Sequence, residues 1–300
     1  MDKEPLVSIA VITYQSSPYV VETLESIAKQ TYRNIELIIS DDGSNDGTVD
    51  VCREWLSVNG NRFVRTEVLT VPANTGTSAN YNRAEDACRG DWVMTVDGDD
   101  MLFPDAVKSY IGFVSEHPGA EYVFAKIKAI GATDERCEYY EKHVFDPAFF
   151  DLSPKEQYER LIFEGNCIPS GTCFYKRASK LKYGIRNDER IPLLEDWPKW
   201  VNILKKKVVL YFLDKQTVIY RLRDDSVSTS KPSLAFRQSN ALMYIHYQFS
   251  SQFRTDSIFA IKKLVNAHHI IGNSNCFWSL MWNIWMSKRA RSGKEPISFF

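Results

Sequence analysis

The sequence predicts an α/β protein with a doubly wound, mostly parallel central sheet and a helical C-terminal extension. Three observations carry that expectation. Short β-branched apolar runs alternate with segments of helical spacing through the first 116 residues, the pattern that places helices on both faces of a parallel sheet. Acidic and hydroxyl residues gather just after those runs, outside the carboxyl ends of the strands, where open α/β sheets bind ligands. The composition is that of a folded chain: 44% of the 300 residues are hydrophobic and 25% charged, well away from the disordered corner.

Leu6 to Ile12 (LVSIAVI) reads as a buried first strand, and Ser16-Ser17-Pro18 starts a helix in which Val21, Leu24, Ile27 and Ala28 repeat at helical spacing. Ile35 to Ser40 is the second strand. The turn Asp41-Asp42-Gly43-Ser44 follows, with Ser44 or Asp46 as the N-cap of a helix marked by Val49, Cys52, Trp55 and Leu56. Phe63 to Val71 is a third strand, Thr77 to Ala87 a helix ended by Gly90, Trp92 to Val96 a fourth strand, and Pro104 to Glu116 a further helix. Past residue 120 the alternation loosens. Tyr122 to Ile130 reads as a strand, Ser153 and Glu156 have capping-box spacing, and Val208 to Leu213 and Thr217 to Tyr220 read as two more strands. From Pro232 the pattern is mainly helical. The expected division is a main unit over residues 1–225 and a helical extension over 226–300.

Several classes of protein are disfavoured. A net charge of −1, from 37 basic and 38 acidic side chains, supplies no field for nucleic acid. Six widely spaced cysteines without CxxC pairs read as reduced, mostly buried thiols. The charged start Met1-Asp2-Lys3-Glu4-Pro5 has the wrong shape for a signal peptide, so a cytoplasmic location is expected. Leu264 to Ser287 lacks Asp, Glu, Lys and Arg, but Asn266, His268, His269, Asn273 and Asn283 break the apolar span a bilayer requires, and no membrane crossing is expected. Within 276–294, Phe277, Trp278, Trp282 and Trp285 stand beside Lys288, Arg289, Arg291 and Lys294. That pairing suits the surface of an anionic membrane at the inner face of the plasma membrane. Packing of the aromatics onto the main unit, or onto a second subunit in a homodimer, explains them equally.

Asp97-Gly98-Asp99 is the sharpest local feature. Residues i and i+2 at a strand end project to one side, so two carboxylates converge on a point suited to magnesium or manganese shared with substrate phosphates. An Asp-rich turn gives the same local pattern, but position directly after the apolar WVMTV favours a ligand site. At the neighbouring strand end, Asp42 could accept from a base N–H or a ribose hydroxyl and Tyr14 could cover an aromatic base. An Asx turn feeding a helix explains the acidic pair as well. Glu195-Asp196-Trp197 alone reads as the acidic start of a helix. No GxGxxG follows the first strand and there is no GxxxxGK[ST], which disfavours dinucleotide oxidoreductases and P-loop nucleotidases.

Taken in order, SIAVITY, AKQTYRNIELII, SDDGSNDGT, NTGTSANYNRAEDACRGDWV and DGDD resemble the nucleotide-binding half of the inverting glycosyltransferases of family two, which have the GT-A fold. PSGTCFYKRASKLKYG and DERIPLLEDW resemble the acceptor half. The resemblance implies two abutting Rossmann-like halves, residues 1–100 for the nucleotide and 101–225 for the acceptor. It implies that Thr13, Tyr14 and Asp42 contact the nucleoside, that Asp97 reaches the ribose or metal region, and that Asp99 ligates Mn2+ or Mg2+. Asp196 would be the general base, with Glu195 and Trp197 in the acceptor region. The implied donor is a UDP-sugar and the acceptor a glycan or lipid-linked glycan of a surface polysaccharide. Three positions depart from the family pattern: Gln15 replaces Asn, Tyr81 replaces Arg, and Arg223 stands where His is usual, a permanently charged group suited to the diphosphate. A non-catalytic sugar-nucleotide-binding partner would share the nucleotide motifs but has no need of a base at Asp196.

Overall fold

A computed structural model of the chain describes residues 4–143, 145–191, 193–223 and 233–271. The aromatic and basic stretch 276–294 lies outside the described residues. In chain order the elements are β1 (Val7–Thr13), α1 (Val20–Ala28), β2 (Ile35–Asp41), α2 (Thr48–Asn59), β3 (Arg65–Thr70), α3 (Thr77–Ala87) and β4 (Trp92–Asp97). There follow β5 (Met101–Leu102), α4 (Ala106–Glu116), β6 (Tyr122–Ile130), α5 (Asp134–His143), α6 (Pro154–Phe163), β7 (Phe174–Lys176), α7 (Arg177–Tyr183), α8 (Asp196–Lys205) and β8 (Leu210–Arg221). The C-terminal helices are α9 (Leu234–Met243), α10 (Phe249–Thr255) and α11 (Ser257–Ile270).

The strands form one sheet in the order β3-β2-β1-β4-β7-β6-β8-β5. The β3-β2-β1-β4 half is parallel, as the alternation predicts. β7 runs antiparallel between β4 and β6, and β5 antiparallel to β8. Every residue of β1 and β2 is buried, because helices cover both faces. Val7, Ile9, Val11, Leu37 and Met94 pack with α1, α2 and α4 on one side, while Ala10, Ile12, Ile38 and Val93 pack with α3, α6 and α8 on the other. Met243 of α9 and Tyr247 belong to the second core, so the start of the C-terminal helical region is anchored on the side of the sheet that α3, α6 and α8 cover.

Local differences from expectation have physical causes. The two strands expected over 208–220 are one, β8, paired along its length with β6 and carrying extra residues where the register slips around Lys126. A bulge carries Asp214-Lys215 between the two stretches, and Lys215 reaches Asp105. The N-cap of α2 is Gly47, with φ of 90°, rather than Ser44 or Asp46. Asp46 instead accepts from the backbone N–H and hydroxyl of Thr48 and from the N–H of Ser17. The capping box of α6 forms as its spacing predicts. The described cysteines Cys52, Cys88, Cys137, Cys167 and Cys173 are free thiols, and no described helix is long and apolar enough to cross a membrane.

Candidate active site

Register aligns Thr13 with Asp41 and Ile12 with Asp97, so the polar residues after β1, β2 and β4 share one rim. A cavity of about 770 Å³ opens there. Thr13, Tyr14, Asp42, Asp97, Asp99, Glu195, Asp196, Trp197 and Arg223 all line it, which brings every site residue expected from sequence into one space.

At the ends of β1 and β2, the Thr13 hydroxyl donates to Asp41 Oδ2 (2.9 Å) and its carbonyl accepts from Asn80 Nδ2 (3.1 Å). Tyr14 stands half exposed at the mouth. Gln15 adopts a left-handed φ of 53°, a conformation that suits Asn better. A reciprocal amide pair holds it there: Gln15 Nε2 donates to Asn45 Oδ1 (2.8 Å), and the Asn45 N–H donates back to Gln15 Oε1 (3.2 Å). Asp42 accepts from the Thr75 N–H (3.0 Å), the Gly76 N–H (2.9 Å), the Thr75 hydroxyl (2.5 Å) and Arg83 Nη2 (2.9 Å). That is about as many donors as a carboxylate takes, so Asp42 anchors the 74–76 loop that edges the cavity. Arg83 also reaches Ser40 and Asn80, which commits it away from any phosphate.

Gly98 lets the carboxylate turn close. A Cβ there would lie 2.8 Å from Thr13 Cγ2 and 3.0 Å from Ser16 Oγ, so a larger residue would push the Thr13 and Ser16 side chains from their places. Asp97 accepts from the Tyr81 hydroxyl (2.7 Å). Burial and then the neighbouring Asp99, with a smaller push from Asp196, raise Asp97 to about 6 despite that hydrogen bond. Burial and the charges of Asp97 and Asp99 lift buried Asp100 well above the carboxylate range, although it accepts from the Arg221 N–H (2.9 Å). Arg223 Nη1 lies 3.1 Å from Asp99 Oδ2. Arg221 Nε donates to the Asp99 carbonyl (3.0 Å), and both guanidinium groups lie over the Tyr19 ring.

Across the cavity, Asp196 is the first residue of α8 and Glu195 precedes it. Asn166 Nδ2 donates to Asp196 Oδ2 (2.6 Å), and the Trp197 N–H to Asp196 Oδ1 (2.6 Å). Trp197 is held by its indole N–H, which donates to the Leu161 carbonyl (3.0 Å). Burial, then Asp196 and Asp97, push Glu195 up to about 8. Burial also raises Asp196, against the hydrogen bonds from Trp197 and Asn166 and the charge of Lys199. The two acids are adjacent and interact, and Glu195 is placed where a carboxylate can take up and release a proton near neutrality.

Sequence reasoning missed Asn166, the part played by Tyr81, and the α9 residues Phe236 and Asn240, which also line the cavity. Tyr81 was visible only as a departure from pattern. Phe236 and Asn240, one helical turn apart, belong to a region without motifs.

Crowded carboxylates on one wall form a hard-oxygen donor set, and the raised Asp97 and Asp100 show charge that the protein itself leaves unmet. That fits a divalent cation held by one or two carboxylates and completed by phosphates. It does not fit an all-protein cage, since the described residues include no cluster of three or more His, Cys, Asp or Glu placed to hold a metal alone.

Residues 8–184 match the family described as Glycosyl transferase family 2. The match covers more than half of the chain, which therefore belongs to that family and is a glycosyltransferase. The Escherichia coli protein named UDP-Glc:alpha-D-GlcNAc-diphosphoundecaprenol beta-1,3-glucosyltransferase WfaP is 28% identical over 244 residues, 80% of this chain and 86% of that protein. Among solved structures, S. aureus TarS 1–349 in complex with UDP-GlcNAc superposes with a TM-score of 0.62 at 18% identity, covering 97% of this chain and 93% of that one. The mannosyltransferase PcManGT from Pyrobaculum calidifontis, in complex with GDP-Man and Mn2+, superposes at 0.60 with 17% identity, covering 99% and 77%. The fold is GT-A.

Proposed function

We propose that the chain transfers a sugar from a nucleotide-sugar, a UDP-sugar by the resemblance at Thr13, Tyr14 and Asp42, to a hydroxyl of a glycan or lipid-linked glycan, with inversion. The observation that carries this reading is a single cavity holding the aspartates after β4 on one wall and the Glu195-Asp196 pair on the other. The solved complexes with UDP-GlcNAc and GDP-Man support a nucleotide-sugar donor, and the name of WfaP supports a lipid-linked acceptor. Residues 1–225 serve as the catalytic unit, with α9 of the extension closing its cavity.

In this reading Asp196 takes the proton of the acceptor hydroxyl. The oxygen forms a bond to the anomeric carbon as the bond from that carbon to the diphosphate oxygen breaks, and the nucleoside diphosphate leaves. One displacement inverts the centre. Asn166 and the Trp197 N–H orient the base, while burial raises its proton affinity above that of a free Asp. Trp197 supplies an aromatic face beside the acceptor sugar. Asp99, with Asp97 beside it, would hold Mn2+ or Mg2+, which when bound offsets charge on the departing diphosphate. Arg223 is poised to contact the same phosphates. Asp196→Asn should lower turnover about 10²- to 10⁴-fold, the usual worth of a positioned base, while UDP binding measured by calorimetry stays intact. Turnover close to the unmodified protein would remove the base assignment.

A further inference from the structure

Helix α3 reaches both walls of the cavity, and its residues are spaced to do so. Tyr81 and Glu85 are four apart and so share a face. Tyr81 donates to Asp97 (2.7 Å). One turn on, Glu85 accepts from Lys199 of α8, and Lys180 of α7 lies 3.0 Å from its other oxygen. Lys199 is itself one turn after Asp196. Glu85, Lys180 and Lys199 are 2%, 4% and 3% exposed. The helix also holds the strand of chain that leads to the base: Ser78 Oγ donates to the Ile191 carbonyl (2.9 Å) and Asn82 Nδ2 to the Asn187 carbonyl (3.0 Å).

Desolvating such charges is costly, and well-packed apolar side chains would join three helices at least as stably. An apolar contact leaves helices free to slide, whereas a charged hydrogen bond fixes direction and distance. We propose that the Glu85–Lys199 pair is a positioning device: with Tyr81 on the same helix face, it makes α3 the spacer that sets the separation between Asp97 and Asp196. This rests on the reading of Asp196 as the base. The nucleoside side is tied to α3 through Asn80 and Arg83, on residues that the pair does not touch. Loss of the pair therefore displaces the base-bearing turn and leaves the nucleotide site in place.

Donor hydrolysis tests this without a known acceptor. UDP-glucose, UDP-GlcNAc and GDP-mannose are incubated with the full chain and manganese, and nucleotide release is followed on the fastest of them, beside calorimetric binding of the matching nucleoside diphosphate and thermal melts. Lys199→Met should lower kcat roughly 10- to 100-fold, the scale expected of a misplaced catalytic group, with nucleotide affinity within about twofold of the unmodified protein. Lys199→Arg should recover most of the rate. Removing all three buried charges, Glu85→Gln with Lys180→Met and Lys199→Met, leaves none of them unpaired and should recover the melting temperature but not kcat. If that triple variant regains kcat together with its stability, or if nucleotide affinity falls as far as kcat, the pair only holds the fold and the proposal is overturned. Asp196→Asn separates the two ideas. Undiminished hydrolysis in that variant overturns the base assignment and the spacer with it, whereas an inactive Asp196→Asn beside a fully active triple variant overturns the spacer alone. Release from none of the three donors overturns the donor assignment and the spacer together.

Discussion

Glu36, near the amino end of β2, and Glu195, on the cavity wall beyond the opposite end of the sheet, are both acids packed inside the fold, and the protein treats them in opposite ways. Burial works to raise Glu36, yet hydrogen bonds from Ser8, the Arg89 N–H, Arg65 and the Gly90 N–H outweigh it and hold the carboxyl below its ordinary 4.5. The Arg65 bond, at 3.0 Å, is also an ion pair. Glu195 receives no comparable set of donors. It faces Asp196 and Asp97, and it rises to about 8. A carboxylate that fastens strands together is closed on by the protein's own donors. One that awaits a proton, a cation or a substrate is left with its charge unmet.

Breaking the two ends should therefore have different consequences. The largest effect belongs to the cavity, in the 10²- to 10⁴-fold loss of turnover expected for Asp196→Asn, with little change in stability because an Asn oxygen can still accept from the Trp197 N–H and the substitution removes a like charge from beside Glu195. Next comes Glu36→Gln. It keeps the shape but strips charge from the hydrogen bonds that join β1, β2 and the 89–90 turn, and it should cost about 2 kcal/mol in urea unfolding while kcat stays unchanged. Equal stability in that variant would mean that the buried network contributes nothing net. A smaller effect falls on Asp99→Ala. In the unmodified protein manganese should tighten UDP binding by tenfold or more, about 1.4 kcal/mol, and the variant should bind UDP equally with and without the metal in calorimetry. A manganese effect that survives the substitution would place the cation elsewhere.

The same contrast explains what was legible in the sequence. The parallel half could be read because β1 and β2 are buried on both faces and leave unbroken apolar runs. β5 and β7, of two and three residues, carry no periodicity, and pairing with β8, β4 and β6 alone makes them strands. The acids of the cavity could be read because each follows an apolar run and carries its chemistry in its own side chain. Their supports could not. Tyr81 meets Asp97 across 16 residues, Asn166 meets Asp196 across 30, and Glu85 meets Lys199 across 114, so only the folded chain shows that these side chains face one another.

A further contrast concerns pH, where the two ends have opposite signs. Glu36 is held below 4.5, so the folded chain releases that proton more readily than the unfolded one. Its stabilisation is present above pH 4.5 and fades on acidification below it. Glu195 rises from 4.5 to about 8 and Asp97 from 3.8 to about 6, so across that span the folded chain binds more protons than the unfolded one. Stability should then fall as pH rises through the span, and the loss should be complete near pH 8. The melting temperature should pass through a maximum in mild acid, with Glu36 shaping the acid side and the cavity acids the neutral side. Glu195→Gln should flatten the decline between pH 4.5 and 8 and leave the acid side unchanged, and Glu36→Gln should do the reverse. Melting curves at half-unit pH steps decide it. An undiminished neutral slope in Glu195→Gln would show that this acid is already satisfied in the folded protein, and the distinction between the two ends of the sheet would disappear.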